Sequence, residues 1–323
     1  MRWCRFPAQW ALVAVAWMAS PAHAATYYVD RGNGACSDVG PGTSSNPYCS
    51  ISSALAAHNA PGTTILVRPG VYREQINVPA SGGSSSPIVV RAERIAGNSV
   101  VVNGADSFSD PAKWSQSQGN VWRAAAVSWP PTQVLEDGVR LVSYVGDPAT
   151  LPAGSFAYVS GSGLSVNAGG GNPGTHAIEV GRRDYGFAVP GRSWVTIDGF
   201  TVTNCRDGIQ MTDASSGIEV TNDSITFSAR FGIQASGCSS LHIAGNVVSD
   251  NADHGISVTS GTTGSTIERN ESFRNIDPAV RRANGIYLFG APGRGQHHRR
   301  SFPAGIRERQ TLAPFGYRRA RMD

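Results

Sequence analysis

A glycine followed by an apolar residue returns five times in the second half of the chain, in YGFAV, DGIQM, FGIQA, HGISV and NGIYL. The glycines are Gly186, Gly208, Gly232, Gly255 and Gly285, so the steps are 22, 24, 23 and 30 residues. Self-similarity at this period marks a stacked architecture, in which each repeat buries its apolar face only against its neighbours. A second strand-like pattern precedes most copies: VTIDGFTV, IEVTNDSI, LHIAGNVV and STIERNES. The repeats are short and rich in Gly, Asn, Ser, Thr and β-branched residues. They lack helical periodicity, and Leu is too scarce for a leucine-rich repeat. The expected fold is all-β, a parallel β-helix or solenoid.

Alternation within each strand then assigns the faces. Phe187, Ile209, Ile233, Ile256 and Ile286 form the expected inward column, and Ala188, Gln210, Gln234, Ser257 and Tyr287 the outward one. Asp223, Asn246 and Asn270 share one turn position, read as places for left-handed backbone. The stretch SISSALAAH, Ser50 to His58, is the one convincing helix, a short N-terminal cap over the open first coil. Residues 105–175 carry the loop signals SWPP, GDPATLPAGS and NAGGGNPG. Coils with long irregular loops are expected there, packed against the stack by tryptophans.

Both ends of the chain differ from its middle. Arg2 and Arg5 precede ten apolar residues and then SPAHA, the pattern of a secretory leader cleaved after residue 24. Ten residues fall short of the roughly 20 that span a bilayer, so no membrane span is expected, and secretion to the periplasm or the exterior is. Residues 25–104 are read as cap and first coils, and residues 176–293 as regular coils. Residues 294–323 hold eight arginines and break the repeat, which reads as a disordered tail on a truncated chain. The formal charge of +4 is carried by these ends, which leaves residues 25–293 near −4. Basic residues clustered with nucleic-acid-reading motifs are absent from the sequence, so no nucleic-acid partner is expected. Four cysteines remain beyond the leader; Cys36 and Cys49 bracket one loop-rich stretch, and Cys205 with Cys238 is a second candidate pair across neighbouring coils.

The stretches YYVD, NPYCSISSALAA, PGTTILVRPGVYREQI and WVTIDGFTV, with the Gly-Ile coils, resemble secreted right-handed parallel β-helix proteins of the pectate-lyase-like superfamily. The resemblance spans roughly residues 26–290 and is specific for fold rather than activity. It implies a monomer that acts on or binds uronic-acid-containing, hence acidic, polysaccharide, with β-elimination by a lyase as the leading reading. A non-catalytic glycan-binding or cell-envelope protein and a glycoside hydrolase are the alternatives. Lyases of this kind use calcium held by carboxylates, and Asp253 with Asp277, from adjacent coils, is the pair that fits. No organic cofactor is implied. Their base is a Lys or Arg, yet Lys113 is the only lysine, and Leu288 and Phe289 stand where one family places it. The last repeat alone is entered through a long segment, RNIDPAVRRANGIYLFG, seven residues beyond the usual step. Insertions in solenoids build binding faces, so Arg281 and Arg282, together with Gln210, Gln234 and Tyr287, are the candidate substrate-binding residues.

Overall fold

In a computed structural model of the chain, residues 25–276, 283–289 and 297–298 are described. Three parallel sheets run along a stack of six coils. In coils 3 to 6 the first sheet contributes Val195–Asp198, Glu219–Thr221, His242–Ala244 and Thr266–Glu268. The second contributes Thr201–Thr203, Ser224–Thr226, Val247–Ser249 and Glu271–Phe273. The third contributes Asp207–Thr212, Ile233–Ser236, Ile256–Thr259 and Ile286–Leu288. Coil 1 is Thr64–Val67, Gly70–Tyr72 and Ile76–Asn77; coil 2 is Ile88–Ala92, Val100–Asn103 and Tyr185–Pro190. Ile209 pairs with Ile233, Ile233 with Ile256 and Ile256 with Ile286, which is the expected register. Ile209, Ile233 and Ile256 are fully buried, so truncating one to Ala should cost roughly 2–5 kcal/mol.

The repeated glycines are required by crowding. A Cβ on Gly186, Gly208, Gly232 or Gly255 would lie 2.5–2.8 Å from the carbonyl oxygen of the next glycine in the column. It would also strike a side chain of the second sheet, such as Ile225 for Gly208 and Val248 for Gly232. Any larger residue would force the strand off its neighbour.

Polar ladders run inside two corners of the stack. At the turn from first to second sheet, Asn270 Oδ1 accepts from Asn246 N, Asn246 Oδ1 from Asp223 N, and Asp223 Oδ1 from Phe200 N. At the next corner Asn275 and Asn251 repeat the device up to Ser228. Buried backbone groups that sheets leave open are thereby satisfied. The left-handed residues are the ones before the first ladder's members, Asn222, Gly245 and Arg269, and not Asp223, Asn246 and Asn270 as expected.

The cap forms as expected, with α1 at Ile51–Ala57 burying Ile51, Ala54 and Leu55 on the open end of coil 1. Ser50 caps it, and the Glu74 carboxylate accepts from Ile51 N and Ser52 N at 2.9 and 2.8 Å. A Cys36–Cys49 disulfide pins the loop before it. Cys205 and Cys238 do not pair; both are buried thiols. They lie 33 residues apart, which is no multiple of the coil, so they occupy different corners.

Residues 105–175 depart from expectation. They are no set of coils but most of an insert, residues 105–181, that leaves coil 2 between its second and third sheets. Its strands form a four-stranded antiparallel sheet and a five-stranded, mainly antiparallel one. Trp114 is buried there with Phe108, Phe156 and Leu164, and Trp122 and Trp129 pack beside them, so these tryptophans fill the insert's own core. Gln133 and Arg140 tie the insert to the stack. They donate to the carbonyls of Cys205 and Phe227, and of Ser228 and Asp250, across coils 3 to 5. Burial lowers the Arg140 guanidinium to about 10.

Candidate functional site

The corner that leads into the third sheet carries the insert, which leaves the coil path there in coil 2. In coil 6 the sequence between Phe273 and Ile286 is longer than in the other coils, and its residues 277–282 lie outside the described set. Four of the five residues placed just before the repeated glycines decide the corner's chemistry: Asp207, Phe231, His254 and Asn284.

Asp207 is fully buried at the turn's edge. Its carboxylate accepts from Arg230 Nε and Nη2 at 2.9 and 2.7 Å and from Phe231 N at 3.2 Å. One coil earlier Asp184 meets Arg206, the residue beside it in register, at 3.5 Å and in the open. Arg230 reaches on to Gln234 Oε1 at 3.3 Å, which also accepts from Gln210 Nε2 at 2.9 Å. The guanidinium carbon lies 4.6 Å from the centre of the Phe231 ring.

The next coils replace charge with rings. Phe231 stacks on His254 at 5.9 Å between centroids, and His254 on Tyr287 at 4.3 Å; Tyr287 lies parallel to Phe289 at 6.2 Å. His254 Nδ1 faces the Asn284 backbone N–H at 3.0 Å and so accepts. The neutral ring then carries its proton on Nε2. Burial holds this imidazole below its ordinary pKa, against the pull of Asp253, whose Oδ1 lies 3.4 Å from Nδ1. The accepting Nδ1 and the desolvating surroundings both favour the neutral ring.

Of the sequence candidates, Gln210, Gln234 and Tyr287 share the outer face of the third sheet, in partly exposed positions. Ser257 does not join them at the surface. It sits between Gln234 and Tyr287 in register and is 2% exposed, a small side chain between two large ones. Asp277, Arg281 and Arg282 lie outside the described residues. Asp253, the described half of the calcium pair, accepts from His254 N at 2.8 Å. Among the described residues no three His, Cys, Asp or Glu side chains gather as a metal would require. Lys113 lies in the insert, where Nζ donates to the Ser107 carbonyl at 2.7 Å. Phe231 and His254 open the repeats FGIQA and HGISV, and their spacing of 23, one coil, is the sequence signal for the stacked rings. The arrangement offers amides, a guanidinium and aromatic faces in one row, suited to sugar hydroxyls, carboxylates and ring faces.

Among known families, the profile of the "Right handed beta helix region" matches residues 155–294. The chain is a right-handed parallel β-helix. No curated protein matches it. Among solved structures, "The complex structure of XylC with xylose" superposes with a TM-score of 0.65 at 18% identity, covering 81% of this chain. The β-helix chain spans only 56% of that protein. One described as "Glycoside hydrolase" gives 0.55 at 11% identity, over 72% of this chain and 67% of its own. "Crystal structure of pectate lyase Pel9A" gives 0.44 at 17%, over 84% and 61%. For the first two the likeness is one of fold alone. Among the described residues of this β-helix no helix is long and apolar enough to cross a membrane.

Proposed function

We propose that this β-helix is a secreted carbohydrate-active protein that holds a uronate-containing polysaccharide along the outer face of its third sheet. The observation that carries the reading is the row from Gln210 and Gln234, through Arg230, to the His254–Tyr287 stack. Amides address hydroxyls, the guanidinium edge addresses a carboxylate, and Tyr287 offers a face for a sugar ring. The solved β-helix bound to xylose supports a sugar as the ligand class, and the Cys36–Cys49 disulfide supports export to an oxidising compartment. The reaction we propose is lyase-like β-elimination, with Arg281 and Arg282 contacting uronate and Asp253 with Asp277 as the calcium pair.

A second reading, a glycan-binding protein without turnover, is favoured by one observation. The chain's single lysine is held in the insert, bonded to a backbone carbonyl, so no lysine base serves the third sheet. A panel of uronic-acid polymers, with and without a calcium chelator, separates the readings. Ultraviolet-absorbing unsaturated products abolished by chelation establish the calcium-dependent lyase. Binding without products establishes the module, and reducing sugar without absorbance a hydrolase. Failure to bind or cleave any acidic polymer rejects the uronate assignment.

A further inference from the structure

The insert contains a cleft of about 450 Å³, lined by Glu136, Asp137, Arg140, Leu141, Ala168 and His176. That volume lies within the roughly 300–1,000 Å³ of small-molecule sites. Its polar groups are committed unequally. Asp137 sits at a hairpin tip in left-handed backbone and pins the hairpin to the neighbouring strand. One oxygen bonds His176 Nδ1 at 2.9 Å, and the other accepts from Ala177 N at 2.9 Å. Arg140 gives Nε to Gln133 and Nη2 to two backbone carbonyls of the stack. The Glu136 carboxylate, by contrast, accepts no hydrogen bond among the described residues, with a side chain 16% exposed; it forms an ion-pair contact with His176 Nδ1 at 3.8 Å.

Its oxygens still reach solvent in the cleft, and with no protein donor committed to them they are free to accept from a ligand hydroxyl. Burial has the expected effect of raising its pKa. The remaining walls are apolar or small, with Leu141 buried and Ala168 packed on the insert's core. An unserved acceptor above an apolar floor matches a sugar ring, which has hydroxyls at its edge and C–H groups on its face. We propose that this cleft binds a neutral glycosyl unit, Glu136 accepting from its hydroxyls while Leu141 and Ala168 take its apolar face. A uronate is disfavoured there, because Glu136 and Asp137 repel its charge. The site is separate from the third-sheet row and stands whether or not that row binds acidic chains.

Saturation-transfer NMR on the full chain tests this, with methyl glycosides of glucose, galactose and xylose as neutral probes and galacturonate as the acidic one. At least one neutral glycoside should bind. Ala168→Leu, which fills the cleft, should weaken it about tenfold or more, and Glu136→Gln several-fold. Unfolding of both variants is followed in parallel, and the isosteric Glu136→Gln carries the test if Ala168→Leu does not fold. Three results overturn the proposal: no neutral glycoside bound, binding unmoved by either folded variant, or galacturonate competing for the same cleft.

Discussion

Coils 3 and 4 and coils 5 and 6 solve the same geometric problem with different chemistry. At the surface of the earlier coils a buried carboxylate, Asp207, is clamped by Arg230. At the equivalent places later on, rings stack on rings, Phe231 on His254 on Tyr287. The contrast repeats inside the stack. The ladder at the first corner begins with a carboxylic acid, Asp223, and continues with the amides Asn246 and Asn270. At the corner before the third sheet, coil 3 is held by an ion pair and coils 4 to 6 by stacked rings, while at the end of the second sheet Arg274 still clamps Asp250 at 2.6 and 2.7 Å. A parallel solenoid fixes the backbone positions and leaves the side chain at each level free to vary, so one corner can be rigid at one end and ligand-facing at the other.

The sharpest test of the ionic half is Asp207→Ala. Removing one partner of a buried ion pair costs roughly 3–5 kcal/mol. The Arg230 side chain is 35% exposed and regains some water, so about 3 kcal/mol is expected, near the low end. Phe231→Ala, in the half-exposed ring stack, should cost about 1–2 kcal/mol. Chemical denaturation of the two variants decides, and equal costs would erase the distinction between the halves.

The internal contrast predicts a gain. Asn246 and Asn270 each accept with Oδ1 and donate Nδ2 to a carbonyl one coil back, those of Val220 and Ile243. Asp223 accepts in the same way through Oδ1, but its Oδ2 is buried without a partner. Burial raises this carboxyl well above the ordinary value, with Asp198 adding to the effect. A raised folded pKa contributes stability that is full below the unfolded value near 3.8 and is lost as pH rises through the folded value. Asp223→Asn restores the missing donor, so it should stabilise the protein at neutral pH by about 1–2 kcal/mol and by less in acid. A variant no more stable than wild type at pH 7 would break the argument.

For the proposed ligand face the contrast predicts that the neutral half matters more for binding than for folding. Tyr287→Ala should reduce affinity for an acidic polysaccharide about tenfold, equivalent to about 1.4 kcal/mol, while changing stability by less than that. Titration of the variant against the same polymer measures the loss; unchanged affinity would remove Tyr287 from the binding face.

Much of this fold was legible because two periods coincide. The 23-residue step set the coil, and alternation beside each glycine set the inward face, so Ile209, Ile233 and Ile256 fell where expected. The outer face was less legible, because exposure depends on the size of neighbours one coil away, as buried Ser257 shows. The insert was illegible as a sheet module, since strands such as Ser115–Gln118 and Val121–Ala124 are short and their partners are fixed by tertiary packing. The ladder through Asn251 and Asn275 repeats at 24 residues, yet Asn in a turn reads as surface until its burial is seen. Of the candidate site, the row of Gln210, Gln234 and Tyr287 was readable from alternation alone. The Glu136 cleft was not, for it joins residues 136 to 176 through the insert's fold.

The smallest effect expected is also the one that tells the halves apart by sign. His254 is neutral in the fold, with Nδ1 accepting from Asn284 N and its pKa lowered by burial. Protonation would cost that bond and place a charge between two aromatic rings; among the groups around it, Asp253 is the anion that opposes the shift. A lowered folded pKa means stability is full above the unfolded value near 6.5 and declines as pH falls through the folded one. Asp223 acts in the reverse direction, so the later coils should loosen in mild acid where the earlier ones do not. His254→Phe keeps the ring stack and removes the titration. Its unfolding midpoint should sit somewhat below wild type at about pH 7.5 and fall less steeply towards about pH 5. Hydrogen exchange at the Asn284 amide reports the same event locally, with protection lost on acidification in wild type. Parallel pH profiles for the two proteins, with Asn284 equally protected throughout, would show that the imidazole does not hold the last coil.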